Sequence, residues 1–267
     1  MMQNKTLLYT NGDSWTYGEG LKEEQHPFNE QSYKFYNTWP WHVKEHYNIP
    51  QLINDGKGGG SNVRMYRRTI EFIQNYNNDL SKVVIIIGWT SSERQEIPVP
   101  VEVWSEDGVN SFEWTERQYW AWSHSSSEDE DILKNVYKPK EFSKTITLLK
   151  HPSVDMSITK NLMWGLQEVC KANNIELHQF MALHCAEFEP NDPDYDPVLT
   201  KNIKYHTPSF LAQIRNTKEL LKCKHPNELG HKNIADFIIQ KIGDGDDEED
   251  DDNNDPFQGY AEEDLPG

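Results

Sequence analysis

Val83-Val84-Ile85-Ile86-Ile87 is a run of five β-branched residues, followed at once by Gly88-Trp89. A strand with one solvated face alternates apolar and polar side chains, whereas an unbroken run suits a strand buried on both faces. The run predicts a central parallel strand covered by helices on each side. Working outward, Lys5–Thr10 reads as a first strand closed by Asn11-Gly12-Asp13, and Ile49–Ile53 as a second closed by the glycine-rich stretch Asn54–Gly60. Between them, residues 34–46 carry Phe35, Trp39, His42 and Val43 at helical spacing, with Pro40 in the first turns or at a kink. Ser61-Asn62 can cap a helix running to about Tyr76, with Met65, Thr69, Ile70 and Ile73 on one face. A helix from about Ser157 to Ala172, a strand from Ile175 to Met181 and a terminal helix from Leu229 to Ile242 continue the alternation. Strands alternating with helices predict an α/β fold, a three-layer α/β/α doubly wound parallel sheet, over residues 1–243.

Two stretches depart from this rhythm. Residues 97–127 hold Trp104, Trp114, Trp120 and Trp122, and read as a Trp-rich insertion. Its Val99–Trp104 and Ser111–Trp114 segments flank Glu106-Asp107-Gly108 like hairpin arms. Residues 186–206, rich in Pro, Asp and Tyr, read as a long surface loop. The acidity is also localised. Of a formal charge of −18, residues 244–267 supply twelve acidic side chains and no Lys or Arg, leaving −6 on residues 1–243. That tail is expected to be disordered, either solvating the chain or docking a protein partner of basic character.

Composition also excludes classes. No basic patch of the kind that holds nucleic acid is present, so DNA and RNA are disfavoured as substrates. Cys170, Cys185 and Cys223 have neither paired ligand spacing nor an even count, which fits thiols in a reducing compartment. The histidines lack HExxH-type spacing, so neither a metal nor another cofactor is expected. With no apolar run of membrane-span or signal-peptide type, the expected location is cytoplasmic.

The chemistry sits at strand ends, where doubly wound sheets gather ligands. Ser14 follows the first strand inside Gly12-Asp13-Ser14, and a hydroxyl displayed there can serve as a nucleophile. His225 precedes Pro226, which keeps it out of helical geometry and in a loop before the last helix, suited to act as the base. Gly59 can present a backbone N–H to a developing oxyanion with no side chain in the way. His231, inside the terminal helix, reads as a buried hydrogen-bonded histidine, and Cys223 as a bystander.

In order, Gly12-Asp13-Ser14, Gly59 with Ser61-Asn62, the strand ending at Gly88, and His225 resemble the SGNH or GDSL-type serine hydrolases. The resemblance spans most of residues 5–242 and implies a flavodoxin-like sheet and ester hydrolysis. It implies Ser14 as nucleophile, Gly59 as oxyanion glycine and His225 as base. Two positions depart from the family pattern. The third block, usually Gly-x-Asn-Asp, reads Gly88-Trp89-Thr90-Ser91, so Thr90 stands where an oxyanion-binding asparagine would. The aspartate expected three residues before the histidine is Lys222, which cannot accept a hydrogen bond. Asp192, Asp194 and Asp196 are then candidate acids from an unplaced loop. The expectation is a serine esterase, with a Ser–His dyad if no acid joins the pair, acting on a small acyl ester or acylated glycan. The alternative is a weak or inactive module of the same fold that binds a glycan or protein partner.

Overall fold

The computed structural model describes residues 5–21, 35–92, 94–98, 119–122, 152–183, 202–214, 219–221 and 224–243. Four parallel strands form one sheet in the order β2-β1-β3-β6: β1 Leu7–Gly12, β2 Gln51–Asn54, β3 Val83–Trp89 and β6 Glu176–Met181. An order beginning 2-1-3 is the flavodoxin-like form of the doubly wound sheet. The described helices are α1 Ser14–Tyr17, α2 Trp39–His46, α3 Asn62–Asn75, α4 Pro152–Ala172, α5 Phe210–Ile214 and α6 Glu228–Gly243.

The β-branched run does what its pattern dictates. Val84 and Ile86 point into one core with Leu8, Trp39, Val43, Phe180, Ile234 and Ile238, beneath α2 and α6. Val83, Ile85, Ile87 and Trp89 point into a second core with Tyr9, Met65, Ile73, Met163 and Leu166, beneath α3 and α4. Every residue of β3 is buried, so helices cover both faces and the molecule has three layers.

Element boundaries moved where local chemistry dictates. Residues 35–37 are helical, the chain bends at Thr38, and α2 begins at Trp39 with Pro40 in its first turn, so the expected helix over 34–46 comes in two pieces. Strand β2 spans Gln51–Asn54 rather than Ile49–Ile53, and α4 begins at Pro152, five residues before the expected start. Ser61 caps α3 as its side chain suggests, accepting from Arg64 N–H at 3.1 Å.

The insertion contains an antiparallel pair, β4 Gln95–Pro98 with β5 Tyr119–Trp122, in which Ile97 opposes Trp120. These strands lie outside the hairpin arms expected from sequence, and Val99–Trp104 and Ser111–Trp114 fall outside the described residues, as does the tail from Asp244. Among the described residues, no helix is long and apolar enough to cross a membrane.

Candidate active site

Ser14 owes its position to a tight strand-to-helix turn. Strand β1 ends at Gly12, paired with Gly88 of β3. A Cβ at Gly12 would collide with the Thr16 hydroxyl and stand 3.1 Å from the Gly88 carbonyl, so the turn has no room for a side chain there. Asp13 then caps α1, its Oδ1 accepting from Trp15 N–H at 2.9 Å. Ser14 is the first helical residue and is 3% exposed. One turn later Gly18 adopts φ 81°, and the N–H groups of Gly18 and Glu19 both donate to the Ser14 carbonyl at 3.0 Å. The Ser14 N–H, an unclaimed donor of a helix start, has no acceptor among the described residues.

The glycine loop is tied to the same turn. Lys57 N–H donates to Gly12 O at 3.0 Å, and Asn54 Nδ2 donates to Thr16 O at 2.9 Å. A Cβ on Gly56 would come within 2.7 Å of Tyr17 N, so the loop lies directly against α1. Its base is fixed by Asp55, which binds Arg64 at 3.1 Å and Arg68 at 3.0 Å. Gly59 has φ 69°, a left-handed conformation that favours glycine, and its N–H has no acceptor among the described residues.

Thr90 behaves differently from its expectation. Its hydroxyl donates to Asp13 Oδ2 at 2.8 Å and its N–H to Asn62 Oδ1 at 2.9 Å. A threonine has one hydroxyl proton, so Thr90 holds Asp13 in this geometry and offers that proton to no oxyanion. Asn62 grips the same segment, its Nδ2 donating to Thr90 O and to Thr159 Oγ1, both at 3.1 Å. Arg94, which sequence reasoning did not single out, donates from Nη1 to Asp13 Oδ2 at 3.1 Å. The buried carboxylate beside Ser14 is therefore a structural hub with three donors.

His225 lies in a short hairpin ahead of α6. Leu220 and Pro226 form an antiparallel bridge, with Leu221 N–H donating to His225 O at 2.8 Å and Asn227 N–H donating to Glu219 O at 2.7 Å. Lys224, at φ 64°, makes the reversal. The half-buried imidazole has Nε2 at 3.9 Å from Glu19 Oε2, while Nδ1 is buried without a hydrogen bond. Neither nitrogen is hydrogen-bonded to Ser14 Oγ among the described residues.

Glu19 also escaped the sequence reading, because an exposed glutamate after a glycine carries no signal. Its backbone binds Ser14 O, its Oε2 faces His225 Nε2, and a Cβ on Gly58 would lie 2.6 Å from that same oxygen. One residue thus links the three, its backbone on the Ser14 carbonyl and its side chain between the glycine loop and His225. His231 is wholly buried and accepts from Trp39 N–H at Nδ1 over 3.3 Å. Burial, with His42 and His225 nearby, pushes it down to about 3. Lys222, Cys223, Asp192, Asp194 and Asp196 lie outside the described residues. Among those described, no cluster of His, Cys, Asp and Glu suits a metal.

A family of unknown function (DUF6071) matches residues 21–114. No curated protein matches the chain. Among solved structures, the chain is similar to a psychrotrophic esterase from Pseudoalteromonas sp., at TM-score 0.48 and 13% identity, covering 90% of this chain and 98% of that one. It is similar to a member of the lipolytic G-D-S-L family from Veillonella parvula, at TM-score 0.46 and 12% identity, covering 88% and 97%. A third likeness is to an acetyl xylan esterase from Geobacillus stearothermophilus, at TM-score 0.44 and 15% identity, covering 91% and 97%.

Proposed function

We propose that the protein is a serine ester hydrolase acting through Ser14 and His225. The observation that carries this reading is the meeting of the Ser14 turn, the glycine loop and His225 around Glu19. Ser14 Oγ attacks the ester carbonyl as His225 Nε2 takes its proton, and the imidazolium returns that proton to the leaving alcohol. Water then attacks the acyl-enzyme by the same route. The N–H groups of Ser14 and Gly59 serve the oxyanion, both being without acceptors among the described residues. With the Thr90 hydroxyl on Asp13, a side-chain donor is missing, which at about 10²–10³ in rate per donor makes this a slow esterase. Glu19, its side chain 48% exposed, swings aside when an ester enters.

The proposed substrate is a small acyl ester or an acylated glycan. Support comes from Tyr36, 46% exposed and edge-on to Trp41 at 4.5 Å, near the start of α2. The Trp39–His231 bond ties that end of α2 to the first turn of α6, the helix that follows His225, and the exposed Tyr36 ring can stack on a sugar. The second reading, an inactive binding module, is favoured by the lack of a Ser14–His225 hydrogen bond. Release of p-nitrophenol or acetate from short esters by wild type and Ser14→Ala decides between them. A rate lost in Ser14→Ala supports hydrolysis, and equal rates support the binding module.

A further inference from the structure

The position at which the resemblance expects an acid is Lys222, so what orients His225 has to come from elsewhere. Among the described residues, three buried polar atoms near the start of α6 lack hydrogen bonds; His231 Nε2 is one, and the other two are a chemically complementary pair. One is His225 Nδ1 and the other is Glu219 Oε2. Glu219 is only 6% exposed, and a carboxylate oxygen held from water without a donor is costly.

The hairpin register relates the two residues. Leu220 pairs with Pro226, so Glu219 stands opposite Asn227 and Leu221 opposite His225. Side chains alternate along each arm, which puts Leu220 and Pro226 on one face and Glu219, Leu221, His225 and Asn227 on the other. Glu219 and His225 are then diagonal neighbours on a shared face, a separation of about 7–8 Å that long side chains bridge directly or through one water. Packing fixes the arm that carries Glu219. A Cβ on Gly230 of α6 would lie 2.7 Å from Glu219 O and 3.1 Å from Pro226 Cβ, so the helix closes tightly against the hairpin.

We propose that Glu219 is a positioning residue for His225: its carboxylate accepts from Nδ1–H and so turns the Nε2 lone pair toward Ser14. This rests on the hydrolase reading above. The proton stays on Nδ1 while Nε2 takes the serine proton, so the imidazolium formed during attack faces a carboxylate across the hairpin. Glu19, near Nε2, would enforce the opposite tautomer.

The test uses the full chain. The ¹⁵N shifts of the neutral His225 ring give its tautomer without any substrate. An Nδ1–H tautomer in wild type that is lost in Glu219→Gln is expected; an Nε2–H tautomer in wild type, or one unmoved by Glu219→Gln, overturns the proposal. In ester hydrolysis, Glu219→Gln is expected to lower kcat at least about tenfold at constant KM, since removing the acid behind a Ser–His pair costs up to ~10⁴. Glu219→Asp is expected to restore part of that loss, and a Glu219→Gln kcat within twofold of wild type overturns the proposal. If Ser14→Ala hydrolyses as fast as wild type, the hydrolase reading falls, while the tautomer still decides whether Glu219 orients His225.

Discussion

Replacing Asp13 by alanine isolates the scaffold behind Ser14. The carboxylate is fully buried and receives Trp15 N–H at 2.9 Å, Thr90 Oγ1–H at 2.8 Å and Arg94 Nη1–H at 3.1 Å. Loss of the helix cap costs about 1 kcal/mol. The stranded Thr90 hydroxyl, buried at 0% exposure, adds roughly 1–3 kcal/mol. Breaking a buried ion pair costs about 3–5 kcal/mol, but the Arg94 side chain is 21% exposed and water recovers part of this. These terms overlap, so the expected loss is about 4 kcal/mol rather than their sum. For a chain of this size that lowers Tm by roughly 8–16 °C. Far-UV circular dichroism melts of wild type, Asp13→Ala, Arg94→Ala and the double variant measure both the loss and the coupling. A fall in Tm of less than about 3 °C in Asp13→Ala would refute the reading of Asp13 as a structural hub.

Acid should destabilise the fold before any general denaturation. Burial, with His42 and His225 nearby, pushes His231 down to about 3, and burial, with His178 and Lys241 nearby, pushes His206 down to about 4. Unfolding returns both to about 6.5 with uptake of protons. Their stability contribution is full above about pH 6.5 and falls as pH drops toward those values, by about 1.4 kcal/mol per pH unit for each proton. Urea midpoints that stay constant from pH 7.5 to pH 5 would contradict this. At Glu176, burial is outweighed by the His178 hydrogen bond and by Lys5, so it is drawn down to about 2, and its share goes only below about pH 4.5. Glu19→Gln should favour anionic esters over neutral ones about fivefold, since a carboxylate near 4 Å acts with about 1 kcal/mol in water; an unchanged kcat/KM ratio for p-nitrophenyl hydrogen succinate and p-nitrophenyl acetate would remove Glu19 from the ester seat. Deletion of residues 244–267 should shift Tm by less than about 2 °C, because a segment so acidic and poor in apolar residues contributes little burial.

Local pattern made the fold legible, and long-range pairing hid much of the site. The Val83–Ile87 run and the Met65, Thr69, Ile73 stripe each announce their surroundings within one element. Helix α5, five residues long, and the Leu220–Pro226 bridge are too short to leave a period in the sequence. Ser14 and Gly59 could be singled out because a strand-end turn and a left-handed glycine are local features. Asp13 meets Thr90 and Arg94 across 77 and 81 residues, and no spacing rule links them. The position of Thr90 suggests an oxyanion donor, while the structure has its hydroxyl donating to the buried Asp13 carboxylate, a partner no local pattern announces. Glu219 was invisible for the same reason, since only the hairpin register sets it beside His225.

The most direct test of Ser14 as nucleophile is covalent labelling. Wild type treated with a fluorophosphonate should gain one phosphonyl adduct by intact mass, mapped to the peptide carrying Ser14, absent in Ser14→Ala and slowed in His225→Ala. An unlabelled wild type, or equal labelling of Ser14→Ala, would contradict the account.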